Sequence, residues 1–180
     1  MLKSHGLRGA AFEAMINRTL DLYREEGLAL IQKVPTPITP ITIDKSSGHI
    51  TLAYFDKKST VDYLGVVQGI PVCFDAKECA TDTIPLHNMH PHQIAFMEEF
   101  EKQEGVAFIL LLLRHREECY YMPLRDLLGF WRRAKTGGRK SFTYEEIRHE
   151  FAVSWIKENI PVHFLTCLQK DIDERDTNGS

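Results

Sequence analysis

The chain has 180 residues, with 22 Lys and Arg against 25 Asp and Glu for a formal net charge of −3, and 43% hydrophobic and 10% aromatic content, enough to build one compact core and hardly two. Its longest unbroken apolar run, Val106 to Leu113, falls far short of the roughly 20 residues needed to cross a bilayer. The N-terminus shows no apolar secretory stretch, so a soluble cytoplasmic protein with no membrane partner is expected.

Four cysteines (Cys73, Cys79, Cys119 and Cys167) include no C-x-x-C pair, which gives neither a disulfide framework nor zinc spacing and leaves reduced thiols as the reading. Net charge does not decide on phosphate partners, because residues 131–140 carry five bases and no acid while residues 171–176 carry four acids and one base. Local patches matter more than the total.

In chain order, Phe12, Met15, Ile16, Leu20 and Tyr23 recur at three-to-four spacing, which predicts an amphipathic helix over 8–26 capped by Gly27. Leu28 to Val34 reads as a short strand, and Pro35, Pro37 and Pro40 then exclude both helix and a central sheet position. Ile41 to Ile43 and His49 to Phe55 flank the turn-rich Lys45-Ser46-Ser47-Gly48 and can form a projecting hairpin. A second hairpin follows from Val61–Val67 and Pro71–Ala76 around Gln68-Gly69-Ile70. Thr81 to Met89 reads as loop. Pro91 suits the first position of a helix over Gln93 to Glu104 with Ile94, Met97 and Phe100 inward. Val106 to Leu113, apolar on both faces, fits a central strand covered by helices on each side. Cys119–Met122 reads as a strand, Leu124, Leu127, Leu128 and Trp131 mark a helix, and Thr143-Tyr144-Glu145-Glu146 has capping-box form. Val162 to Leu168 reads as the last strand, and residues 171–180 as an acidic disordered tail behind one domain over 1–170.

Asp62 and Asp75 are separated by twelve residues on the two arms of the second hairpin, which brings them together as a hard oxygen site suited to Mg²⁺. Asp75 and Lys77, two apart on one strand, share a face with Cys73. The lysine therefore stands beside the candidate ion, where it can orient water or offset charge on a pentavalent phosphate, the arrangement of metal-dependent phosphodiester hydrolysis. By itself the spacing is common, and an exposed, salt-bridged strand is its ordinary reading.

The wider pattern resembles the RecU-type Holliday junction resolvases of the PD-(D/E)xK nuclease superfamily. The likeness runs through Arg8-Gly9, Phe12-Glu13, Ile16-Asn17, Pro35-Thr36-Pro37-Ile38, Ser59-Thr60-Val61-Asp62-Tyr63, Phe74-Asp75-Ala76-Lys77-Glu78, Pro85-Leu86-His87-Asn88, His90-Pro91-His92-Gln93, Gly105-Val106-Ala107-Phe108, Phe130-Trp131 and Gly137-Gly138-Arg139-Lys140-Ser141. It spans about residues 7 to 150 in the family's order. The resemblance implies an α/β, restriction-endonuclease-like core: a mixed central sheet flanked by helices, with a projecting β-hairpin stalk at about 35–58. It also implies that Thr60, Asp62, Asp75 and Gln93 surround Mg²⁺, for which Mn²⁺ can substitute, that Lys77 stabilises the transition state, and that Glu13 and Arg8 lie near the site, with Glu13 counted among the catalytic groups. Two departures stand out. Asp75 is an aspartate where the family usually has glutamate, and Val61 stands where the superfamily motif often has proline.

For DNA binding, Tyr54 and Phe55 at the stalk can stack on unpaired bases, and Lys33, Lys57 and Lys58 can meet phosphates. Ordinary hairpin packing is the competing reading for the two aromatics. Arg132, Arg133, Lys135, Arg139 and Lys140, with two glycines among them, are further phosphate candidates, against a merely solvated basic loop. His87, His90 and His92 lack an evident fourth zinc ligand, so a phosphate-facing or structural role is expected. Resolving a junction requires paired nicks, and one candidate site without an internal repeat implies a homodimer.

The expectation is an endodeoxyribonuclease that nicks four-way junction DNA symmetrically in recombination and repair and leaves 5′-phosphates. The resemblance extends to contacts with a recombinase and a branch-migration helicase. The two competing readings are a sequence-specific, restriction-like endonuclease on linear duplex and a non-catalytic DNA-structure binding protein.

Overall fold

The computed structural model describes residues 5–55, 60–157 and 159–178, with side chains described for 11–54, 60–154 and 159–177. Helix α1 (His5–Glu25) leads into strand β1 (Leu30–Lys33), and β2 (Ile38–Ile43) and β3 (Ile50–Phe55) form a separate two-stranded hairpin. Strands β4 (Tyr63–Val67), β5 (Ile70–Cys79) and β6 (Thr83–Pro85) precede a 3₁₀ turn at Leu86–Asn88 and helix α2 (Pro91–Glu101). Strands β7 (Val106–Leu113) and β8 (Glu118–Pro123), helix α3 (Leu124–Lys135) and strands β9 (Ser141–Thr143), β10 (Ala152–Lys157) and β11 (Ile160–His163) follow, and helix α4 (Leu165–Asn178) closes the described chain.

Seven strands make the main sheet in the order β1-β4-β5-β7-β8-β10-β11, with β7 at the centre as its two-sided apolar sequence predicts. β5 and β7 run parallel, and the other described pairs are antiparallel, so the sheet is mixed. Alternation along β7 divides the core. Val106, Phe108 and Leu110 join Phe12, Ile16, Leu20 and Tyr23 of α1 and Leu168 of α4 on one face. Ala107, Ile109 and Leu111 join Ile94 and Met97 of α2 and Leu124 and Leu127 of α3 on the other. This is the expected mixed α/β architecture with helices on both faces. Stacked rings cross the first face from Tyr63 to Phe74 to Phe108 to Tyr121, with centroids 4.6, 4.8 and 4.2 Å apart.

Two local features fix the register that the site depends on. The β4–β5 connection is the two-residue turn Gln68-Gly69, both at positive φ (46° and 93°), the geometry that matches the twist of a tight hairpin. Gly65 of β4 lies so close under β1 that an added Cβ would stand 2.2 Å from the Leu30 carbonyl oxygen; another residue there would push β1 off the sheet. The β2–β3 hairpin has no such burial. Ile41, Ile43, Leu52 and Tyr54 are exposed, Pro40 sits beside a break in pairing, and its turn is held by the Asp44 carboxylate, which accepts from Ser46 N–H (2.9 Å), Ser46 Oγ (2.8 Å) and Ser47 Oγ (2.6 Å).

Three expectations are corrected. The predicted strand Val162–Leu168 stops at His163 and turns into α4; Leu165, Leu168 and Ile172 recur at helical spacing and pack on the core, a periodicity that the short apolar run concealed. The segment expected to be a disordered acidic tail is helical through Asn178. Asp171 there is fully buried, accepting from Tyr121 Oη at 2.6 Å, from Arg175 Nε at 3.0 Å and from Arg125, and Glu174 accepts from Arg125 and Arg148. Arg175 is four residues from Asp171, but Arg125 and Arg148 lie far away in sequence. Finally, part of the Thr81–Met89 loop is ordered, with β6 paired to β9.

Candidate active site

The site is a notch in the main sheet. β4 pairs with β5 up to Tyr63 opposite Phe74, whereas β5 continues against β7 as far as Cys79 opposite Leu113. One further step of the β4 register sets Asp62 against Asp75, and from there β5 has a strand on one side only among the described residues. The two aspartates clasp each other through the backbone. Asp75 Oδ1 accepts the Asp62 N–H at 2.7 Å, and Asp62 Oδ2 accepts the Ala76 N–H at 3.2 Å. Asp62 is further held by its carbonyl, which accepts the Val34 N–H at 2.8 Å.

Asp75 is 1% exposed, and its Oδ2 has no hydrogen-bond partner among the described residues. Lys77 Nζ lies 3.1 Å from that oxygen as an ion pair and donates to Gln93 Oε1 at 3.2 Å. Burial pushes the Asp75 carboxyl above the usual carboxylate range; Lys77 pulls it back and Asp62 adds to the rise. A carboxylate in so dry a place needs positive charge beside it, and the Lys77 ammonium supplies it here. Among the described residues no group of three or more His, Cys, Asp or Glu could hold a metal ion. Two opposed carboxylates are a donor set that fits Mg²⁺, an ion that binds through one or two carboxylates and keeps waters and substrate phosphate as its remaining ligands. It does not suit a four-ligand zinc cage.

The notch opens into a cleft of about 740 Å³ lined by Asp62 and Lys77, by Glu13 of α1 and Lys33 of β1, and on its other walls by Glu78 and Arg114 and by His87, Asn88 and His90. Glu13 and Lys33 pair with each other at its rim. Gln93 is buried, and Thr60, two residues before Asp62, is exposed. The structure thus gathers Asp62, Asp75, Lys77, Gln93, Glu13 and Lys33. Tyr54 is half exposed on the hairpin. The Arg8 and Phe55 side chains and Lys57 and Lys58 lie outside the described residues. Of the basic segment, Arg132 is exposed, and Lys140 borders a second hollow with Trp131 that shares His87 with the cleft. Arg133 donates to Glu146 and to the Ser141 carbonyl (2.7 Å), and Arg139 also donates to Glu146, so one carboxylate engages two of the arginines expected to face phosphate.

Sequence reasoning gave no role to Glu78 or Arg114. The available signal was topological: Arg114 follows the C-terminal end of β7 where β5, its parallel neighbour, also ends, the place where open α/β sheets collect ligands. The four cysteines are buried and unpaired, and burial pushes the Cys73 thiol well up, in keeping with unreactive thiols.

The family model for Recombination protein U matches residues 7–170. The Holliday junction resolvases RecU of Streptococcus pneumoniae serotype 19F (strain G54) and of strain 70585 are each 43% identical over 150 residues, covering 81% of this chain and 75% of the relative. Among solved structures, Hjc, a Holliday junction resolvase from Archaeoglobus fulgidus, overlaps 59% of this chain and 75% of its own at 12% identity and a TM-score of 0.36, too slight a likeness to bear on the fold. The match over nearly the whole chain, together with the opposed aspartates and their lysine, makes this protein a member of the Recombination protein U family.

Proposed function

We propose that the protein is a Holliday junction resolvase, a Mg²⁺-dependent endonuclease that nicks four-way DNA junctions in recombination and repair. The observation that carries this reading is the buried Asp75 carboxylate, clasped to Asp62 through Oδ1 and paired with Lys77 through Oδ2 at an open strand edge, in a chain of the Recombination protein U family. Mg²⁺, when bound between Asp62 and Asp75, supplies Lewis-acid activation of water and neutralises charge at the departing oxygen. Asp62 and Asp75 hold their carboxylates at a fixed separation through the two backbone hydrogen bonds. Gln93 and Asp75 hold the Lys77 ammonium where negative charge builds on the phosphate. Water attacks phosphorus, the bond to the 3′ oxygen breaks, and that oxygen leaves as a hydroxyl, giving a 5′-phosphate product.

Paired nicks in opposing strands require two such sites, and a two-fold homodimer places them symmetrically about the junction. The exposed hairpin with Tyr54 fits the open centre of a junction, where stacking on unpaired bases is sequence-tolerant. The deciding experiment offers the purified protein a mobile four-way junction and its matched linear arms with Mg²⁺. Symmetric nicks with 5′-phosphate ends on the junction are expected. Preferential cutting of the linear arms would overturn the substrate, and binding without any nicking would overturn the enzyme.

A further inference from the structure

The cleft holds three cations, and they are not equally satisfied. Lys33 pairs with Glu13, and Lys77 with Asp75 and Gln93. Arg114 faces Glu78 with Nε 3.5 Å from Oε2, too long for a hydrogen bond of ordinary geometry. Arg114 Nε and Glu78 Oε1 are both buried and without a hydrogen-bond partner among the described residues. Other arginines of this protein do much better: Arg116 grips Asp82 with 2.6 and 2.8 Å bonds, and Arg148 grips Glu174 with 2.8 and 2.6 Å bonds, the two-pronged geometry usual for guanidinium and carboxylate. Arg114 is not loosely placed. Its backbone N–H donates to the Cys79 carbonyl at 2.9 Å, locking its base where β5 and β7 end side by side.

A rigidly based guanidinium that lines the nuclease cleft, paired poorly with its carboxylate, is arranged to exchange that partner for a better one. The two non-bridging oxygens of a phosphodiester match the guanidinium fork. We propose that Arg114 binds a backbone phosphate of the DNA strand lying in the cleft, and that Glu78 is the stand-in it releases when DNA arrives. This rests on the nuclease reading above for the identity of the strand, and it adds a phosphate subsite on the wall formed by the ends of β5 and β7.

The test is equilibrium binding of a four-way junction across a salt series in the absence of divalent ions, for the wild type, Arg114→Gln, Arg114→Lys and Glu78→Gln. Arg114→Gln is expected to bind about tenfold more weakly and to lower the slope of log affinity against log salt by about 0.9, one phosphate contact. Arg114→Lys should restore the slope but not the full affinity, because a point charge replaces a fork. Glu78→Gln, which sets the arginine loose, should bind at least as tightly as the wild type. A wild-type slope in Arg114→Gln, or weakened binding in Glu78→Gln, overturns the proposal, and the second outcome decides it even where Arg114→Gln fails to fold. A wild type that nicks junctions while Arg114→Gln keeps the slope defeats this subsite alone. A wild type that binds with the expected Arg114 dependence and never nicks defeats the resolvase reading alone.

Discussion

Two aspartates are buried against the same sheet, and their surroundings are opposite. Asp171, on α4, has no exposure and accepts from Tyr121, Arg125 and Arg175. Asp75, on β5, is as deeply buried, yet one of its oxygens has no hydrogen bond among the described residues. Glu78 Oε1 and Arg114 Nε, in the same cleft, are orphaned as well. A saturated carboxylate ties elements together; an unsaturated one held rigidly beside a lysine costs stability and is explained by what it binds.

The largest expected effect lies at the unsaturated site. Asp75→Asn should lower Mg²⁺-dependent junction nicking about a thousandfold or more, because several kcal/mol of charge stabilisation is lost, while junction binding survives in a gel-shift assay. Without metal the same variant should unfold within about 1 kcal/mol of the wild type, because relief of the buried carboxylate is offset by the loss of the Lys77 ion pair. The saturated site should do the reverse. Asp171→Ala is expected to cost about 2–3 kcal/mol in urea unfolding, toward the low end because Arg125 and Arg175 reach solvent, with nicking by the folded fraction unchanged. If Asp171→Ala spares stability, or Asp75→Asn lowers it as much, the contrast between the two aspartates collapses.

A smaller effect comes from Mg²⁺ itself. A Mg²⁺ ion held by Asp62 and Asp75 of the folded protein should raise the melting midpoint of the wild type and leave that of Asp75→Asn almost unmoved. An equal rise in both would place the ion elsewhere.

The smallest effect separates the two regions by the sign of their pH dependence. Glu174 is held down to about 2, first by the Arg148 guanidinium and then by Arg125, so its contribution is complete above the ordinary glutamate range and is lost as pH falls toward 2. Asp75 is shifted upward, so the metal-free fold binds an extra proton and loses stability as pH rises from the ordinary aspartate range through the raised value. Thermal unfolding against pH should show the acid limb flattened in Glu174→Gln and the loss on raising pH flattened in Asp75→Asn.

The sequence showed the unsaturated site more clearly than the saturated one, for physical reasons. A hairpin with a glycine at its turn fixes which residues face each other, so Asp62 against Asp75 was legible from spacing, and the two-sided apolar run made Val106–Leu113 the central strand. Nothing local to residues 171–176 says that Arg125 and Arg148 will neutralise them, so a helix packed into the fold read as a solvated tail. Val162–Leu168 reads as one strand because a short apolar run shows no period of its own. Arg114 and Glu78 carry no local signal in the sequence, because their meaning comes from two strands ending together, which only the parallel pairing of β5 with β7 reveals.

The most direct measurement soaks crystals of the protein with Mn²⁺ and locates the ion by its anomalous signal. The account predicts a peak ligated by the carboxylates of Asp62 and Asp75, with Lys77 beside it. An ion bound elsewhere, or Asp62 and Asp75 turned apart with no ion between them in protein that still nicks junctions, would contradict it.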